Sequence, residues 1–265
     1  MTDNQRLLRA QQAARSAGVD ALFITPGPDL RYLVGYDAVA LERLTCLVVP
    51  AVGDPVLVLP ALEVLAAAAS GLAAQGVDLL AWQETDDPWA LVATLAQGAS
   101  CVAVDDHMWA VQVLRASQAL PGVEQIAAGE ILRDLRMVKD TAEIEALTAA
   151  GAAIDWVHAQ VPELLRPGRS EREVGRDIAE LILAAGHAQV DFVIVASGPN
   201  GASPHHAVSD RVLQSGDAVV VDIGGTMPSG YCSDCTRTYA LGEPGTQFRD
   251  YYQVLEQAQA RAVAW

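Results

Sequence analysis

The chain has 265 residues, enough for a full hydrophobic core and for one large or two ordinary domains. Its 33 acidic against 17 basic side chains give a formal charge of −16, which argues against a nucleic-acid or anionic-membrane partner and serves solubility. Residues 1–16 carry charges throughout and read as no signal peptide, and no run of about 18 uncharged apolar residues occurs. With four scattered cysteines (Cys46, Cys101, Cys232, Cys235) of reduced-thiol type, the expectation is a soluble cytoplasmic protein.

In chain order, residues 3–17 predict an amphipathic helix stopped by Gly18, and 21–25 a short apolar strand. Pro26-Gly-Pro-Asp29 is a turn, with a short helix expected over 29–34. Two apolar runs, 44–50 and 55–59, flank Gly53-Asp54 and predict a hairpin. An Ala-rich helix is expected over 62–74 and a strand over 77–82. Asp87-Pro88 then supplies an N-cap with Pro at the first helical position, for a helix to residue 97. A strand at 100–104, a helix at 109–120 and a strand at 123–127 complete an α/β domain of mixed sheet, residues 1–130. His107, Trp82, Trp89 and Trp109 read as packing residues.

The pattern changes near Ile131. Asp140-Thr-Ala-Glu143 and Ser170-Glu-Arg-Glu173 are capping-box arrangements, opening helices to about residues 160 and 186. His158 and His187 lie on or beside these helices and read as surface residues. Strand patterns follow at 190–196, 218–224 and 231–240, then a helix from 247 to 265. The loop SGPNGASP, residues 197–204, delivers His205 and His206.

The stretch VVVDIGGTMPSGYCSDCTRTY, residues 219–239, organises this second part. Asp222 follows three valines, so a carboxylate stands where a buried strand is otherwise demanded, and Asp234 lies on the next strand. A hairpin centred on Pro228 would set the two side chains directly opposite, with Cβ atoms about 5 Å apart, where like charges repel. A divalent cation between them would offset that repulsion; the alternative is two carboxylates at the ends of an exposed ladder, or bonded to the turn's own N–H groups. Cys232-x-x-Cys235 reads as coincidental, because positions three apart on a strand point to opposite faces.

Taken together, SGPNGASPHH, GDAVVVDIGG, GYCSDCTRTYALGEP and RMVKDTAEIEAL resemble the creatinase/prolidase peptidases of pita-bread fold, nearest to bacterial Xaa-Pro dipeptidases and Xaa-Pro aminopeptidases. The resemblance implies a creatinase-like N-terminal α/β domain followed, over 131–265, by the first half of an α+β pita-bread domain. It implies that Asp222 chelates one divalent metal and Asp234 bridges two, with Mn(II) favoured and Zn(II) or Co(II) as alternatives. It gives His205, not His206, the task of hydrogen-bonding substrate and steadying the tetrahedral intermediate. The hydroxyl of Thr236, two residues from Asp234 on the same face, would orient a carboxylate. Phe192 reads as core packing, with the substrate pocket as the alternative. The implied partners are peptides with Pro at the second position, and the implied parent protein is a homodimer.

The chain departs from the family in one respect. The family site also needs one His and two Glu from later strands, which this sequence does not supply. The expectation is therefore a truncated chain with weak metal binding, little peptidase activity and exposed apolar surface. The alternatives are a non-catalytic pita-bread module that binds peptides or proteins, and a creatinase-like C–N hydrolase.

Overall fold

Near-continuous apolar runs such as Ala21–Ile24, Cys46–Pro50 and Val56–Pro60 build the first part of the chain into a sheet buried on both faces. The structure, a computed structural model, describes residues 3–265, so the start of the first domain expected at residue 1 lies outside them. The chain divides into two compact units, one running through Asp140 and the other Thr141–Trp265.

The first unit contains α1 (Asp3–Ser16), β1 (Ala21–Ile24), α2 (Pro28–Val34), β2 (Cys46–Pro50), β3 (Val56–Pro60), α3 (Val64–Ala69), β4 (Asp78–Trp82), α4 (Pro88–Leu95), β5 (Cys101–Val104), α5 (Ala110–Ala119), β6 (Glu124–Ala127) and α6 (Gly129–Met137). Its sheet has the order β4-β3-β2-β1-β5-β6. The β1–β2 and β2–β3 pairs are antiparallel and the others parallel, the mixed sheet expected. On β1, Leu22 and Ile24 join one core with Leu7, Leu30, Leu33 and Leu132. Ala21 and Phe23 join the other, with Trp89, Val92 and Ala116. Each large apolar side chain so buried contributes about 1.5–3 kcal/mol before conformational entropy is charged against it.

Asp87 caps α4 by accepting from the Trp89 N–H, with Pro88 at the first helical position. Trp82 and Trp89 are packing residues, their Nε1–H groups donating to the Leu44 carbonyl and to Gln112 Oε1, each at 2.9 Å. His107 and Trp109, in contrast, remain exposed. The helix expected over 62–74 stops at Ala69, because Gly71 takes the left-handed conformation at φ 84° and a 3₁₀ turn, Leu72–Gln75, follows. The units also divide later than residue 131. Ile131, Leu132 and Leu135 of α6 are buried in the first unit's core, so that helix belongs there.

The second unit contains α7 (Thr141–Leu164), α8 (Glu171–Ala184), β7 (Gln189–Ser197), β8 (Ala218–Thr226), β9 (Cys232–Ala240) and α9 (Thr246–Ala264). The strands form an antiparallel sheet of order β7-β8-β9. Both halves of the Ser170 capping box are made: its hydroxyl accepts from the Glu173 N–H, and Glu173 Oε2 accepts from the Ser170 N–H at 2.8 Å. One face of the sheet (Val195, Val219, Val221, Ile223) is covered by Ile154, Val157 and Val161 of α7 and Val174, Ile178 and Ile182 of α8.

His158 and His187 are buried, not on the surface as the sequence led us to expect. Each ring satisfies both nitrogens inside the fold, His158 with Tyr239 and the Cys235 carbonyl, His187 with Ser233 and the Ile182 carbonyl. Their partners come from β9 and the end of α8, which helix periodicity cannot reveal. On α9 no residue is buried, and Tyr251, Val254 and Leu255 are exposed. Among the described residues no helix is long and apolar enough to cross a membrane.

Candidate active site

On β8 the odd-numbered residues Val219, Val221 and Ile223 turn into the helix-covered core, so Val220, Asp222 and Gly224 occupy the opposite face. Alternation on β9 puts Cys232, Asp234, Thr236 and Thr238 on that same face. Asp222 and Asp234 therefore share a face, but they are not opposed. The register pairs Asp222 with Thr236 and Gly224 with Asp234. The turn causes this. The Met227 N–H donates to the Tyr231 carbonyl at 2.8 Å, and Gly230 takes φ 85°, which centres the hairpin on Ser229, one residue beyond Pro228.

The carboxylates are thus diagonal neighbours, a geometry with side chains about 7 Å apart and weaker mutual repulsion than a direct pair. Thr236 Oγ1 donates to Asp222 Oδ1 at 2.7 Å, fixing the orientation of that carboxylate from directly across the ladder. Arg237, the one basic residue on these three strands, points the other way and pairs with Asp155 at 3.3 Å. No cation of this sheet neutralises the pair. Cys232 and Cys235 are both free, the former exposed on the carboxylate face and the latter half-buried on the other.

Phe192 of β7 pairs with Gly224, and its ring lies over that glycine. A Cβ built at Gly224 would come within 2.5 Å of Phe192 Cε1. The face thus runs from an aromatic ring on β7 to Asp222 on β8 and Asp234 on β9. Asp222 and Asp234 have the hard oxygen donors that suit a divalent cation. Among the described residues, however, no group of three or more His, Cys, Asp and Glu is placed to hold a metal ion. The pair fits part of a metal site and does not complete one.

The segment from Gly198 to Asp217 joins β7 to β8 and carries the two histidines. It begins with a 3₁₀ turn, Gly198–Ala202, which folds over the carboxylate face: a Cβ at Gly201 would lie 3.6 Å from Val220 Cγ2, two residues from Asp222. His205 is exposed and has no hydrogen-bond partner among the described residues. His206 is partly buried, and its Nε2 donates to Glu171.

Glu171 is the residue sequence reasoning missed. It is fully buried at the start of α8 and accepts six hydrogen bonds from Ser197, Asn200, His206 and Ser209. Burial pushes its carboxyl up, but the donors from Ser197, Ser209 and Asn200 outweigh burial and bring the pKa down to about 2. The capping box gave a signal for Glu173, whereas Glu171 beside it looked like any first-turn acid. Its partners lie 26 to 38 residues away.

A depressed carboxylate stabilises the fold at pH values above its unfolded pKa, near the ordinary 4.5. That contribution is lost as pH falls through the folded value of about 2. Denaturant unfolding between pH 5 and pH 2 is expected to lose stability more steeply in the wild type than in Glu171→Gln, which cannot titrate; parallel slopes would contradict the assignment.

Comparison with known proteins covers nearly the whole chain. The Creatinase/Prolidase N-terminal domain model matches residues 6–138 and the Metallopeptidase family M24 model matches residues 145–265. The probable dipeptidase PepE of Mycobacterium tuberculosis is 52% identical over 259 residues, 97% of this chain and 69% of that protein. A Xaa-Pro dipeptidase of Lactobacillus delbrueckii subsp. lactis is 31% identical over 96% of this chain and 70% of its own length. The crystal structure of dipeptidase PepE from Mycobacterium ulcerans superposes with a TM-score of 0.93 at 52% identity, over 97% of this chain and 70% of that one. A prolidase from Thermococcus sibiricus gives a TM-score of 0.88 at 31% identity, over 99% of this chain and 72% of that one.

Proposed function

Because the chain belongs to the creatinase/prolidase family of M24 metallopeptidases, we propose that it serves the hydrolysis of Xaa-Pro dipeptides, in the cytoplasm and as a homodimer. The observation that carries this reading is the placement of Asp222 and Asp234 on one face of β8–β9, with the Thr236 hydroxyl bonded to Asp222 and no basic residue of the sheet beside them. Relatives named Xaa-Pro dipeptidase and prolidase support the proline specificity.

Asp222 and Asp234 would hold part of a site for two divalent cations, with Mn(II) the first candidate and Zn(II) or Co(II) the alternatives. Such a metal pair, when bound, supplies an activated water and a polarised carbonyl. Thr236 keeps one Asp222 oxygen oriented. The exposed His205 donates to the substrate carbonyl oxygen and to the oxyanion that develops from it. Two carboxylates alone make an incomplete ligand set, so the 265-residue chain by itself binds metal weakly and has little activity.

The test begins with the intact mass and metal content of the purified gene product. A product heavier than the 28.0 kDa of this chain is expected to hold about two Mn(II) and to cleave Xaa-Pro dipeptides in preference to Xaa-Ala. A 28.0 kDa product is expected to hold little Mn(II) and to turn over slowly. Equal rates on the two dipeptide classes would remove the proline assignment, and a metal-loaded product that cleaves neither would remove the peptidase.

A further inference from the structure

We propose that Glu171 is the positioning residue for His205, a role that rests on the reading of His205 given above. The two carboxylate oxygens of Glu171 divide their work between the two limbs of the 198–217 segment. Oε1 accepts from the Ser197 N–H at 2.8 Å and Ser197 Oγ at 2.6 Å, at the end of β7 where the outgoing limb begins, and from Asn200 Nδ2 at 2.9 Å on that limb. Oε2 accepts from His206 Nε2 at 2.8 Å, the Ser209 N–H at 3.2 Å and Ser209 Oγ at 2.6 Å, all on the returning limb. The exposed residues between those limbs, 201–205, end in His205, one peptide bond before the tethered His206 ring.

The other ties are fewer or reach less far into the loop. The Glu171 N–H donates to the Arg211 carbonyl and the Arg172 N–H to the Ser209 carbonyl, both at 3.0 Å, which secures only the returning limb. Arg211 grips Asp217 with both guanidinium arms and adds one bond to Ser197 Oγ at 2.6 Å. Gly198 allows that close approach: a Cβ there would lie 2.7 Å from Arg211 Nη2. Asn200 Nδ2 also reaches Ser209 Oγ across the limbs, at 3.5 Å. Among the described residues, only Glu171 both joins the two limbs and holds the neighbour of His205.

All six partners donate, and an ionised carboxylate can only accept, so the side chain must be an acid rather than an amide. In Glu171→Gln, an NH₂ would face the donors of one limb and release it. A histidine that must meet a reacting carbonyl has little tolerance for this, since a misplacement of about 1 Å can cost about 10²-fold in rate.

The experiment uses the purified gene product and its Glu171→Gln, His205→Ala and double variants, with hydrogen exchange followed over residues 198–211. Glu171→Gln is expected to speed exchange at residues 201–206 by about tenfold or more. On a Xaa-Pro dipeptide it is expected to lower kcat by about 10²-fold with KM changed by less than about threefold. In the His205→Ala background the same substitution should cost less than about twofold, because its effect passes through His205. His206→Ala leaves five of the six bonds to Glu171 in place and should show the same pattern at smaller amplitude, which serves if Glu171→Gln does not fold. Multiplicative losses in the double variant, or unchanged exchange in both single variants, would overturn the proposal. A wild type that cleaves no Xaa-Pro dipeptide would sink the reading of His205 and its positioning with it, while exchange would still decide whether Glu171 anchors the loop.

Discussion

Asp222→Asn and Asp234→Asn are each expected to lower kcat/KM for a Xaa-Pro dipeptide by about 10³-fold or more while leaving the fold intact. Both side chains stand on the face of β8–β9 away from the helix-packed core, so neither substitution opens a cavity. Removing one negative charge from a diagonal like-charged pair also relieves repulsion, so apparent stability without metal should hold or rise slightly. The two effects therefore separate. Mn(II) binding, followed by titration calorimetry or by the spin resonance of free Mn(II), should weaken in both variants, and melting without metal should not suffer.

Thr236→Val offers the finer comparison. It keeps both acids and removes only the hydroxyl bonded to Asp222. A loss of about 10- to 100-fold in metal affinity or activity is expected, well short of the aspartate variants. If all three variants bound Mn(II) as the wild type does, the carboxylate face would not be the metal site.

Much of this was legible in the sequence, and the limits have physical causes. The hairpin across Gly53-Asp54, the Asp87-Pro88 cap and the Ser170 box were found because each rests on residues within about five positions of one another. Period two put Asp222, Asp234 and Thr236 on one face for the same reason. Their register was two residues off, with the hairpin centre one residue further on, because it depends on how the Met227–Tyr231 turn closes, and Gly230 rather than Pro228 decides that. Alternation survives such an error whenever the separation is even, so the shared face held and the direct opposition did not. Glu171, His158 and His187 escaped notice because their partners come from other elements, and no local pattern distinguishes a buried, fully bonded polar side chain from an exposed one.

Gly224→Val is expected to cost about 3 kcal/mol or more of the second unit's stability, and Gly224→Ala about 2 kcal/mol. Gly224 has no need of a left-handed backbone; what it supplies is space. A Cβ there would meet Phe192 Cε1 and the Ser233 carbonyl oxygen at 2.5 Å each, and Phe192 Cζ at 2.8 Å. The phenyl ring can swing away at the expense of its packing. The Ser233 carbonyl cannot, because it belongs to the backbone of β9 and precedes Asp234, the residue paired with Gly224. Any side chain at position 224 must therefore push β9 outward at the point that presents the carboxylate. Denaturant unfolding of Gly224→Ala, Phe192→Ala and the double variant separates the two contacts. Removing the ring should recover part of the loss and leave a residue of about 1 kcal/mol assignable to the strand. Full recovery would mean that the ring alone requires the glycine. No loss in Gly224→Ala would mean that β7 and β9 are far enough from β8 at this row to admit a methyl group, and that the glycine does not hold Asp234 in register.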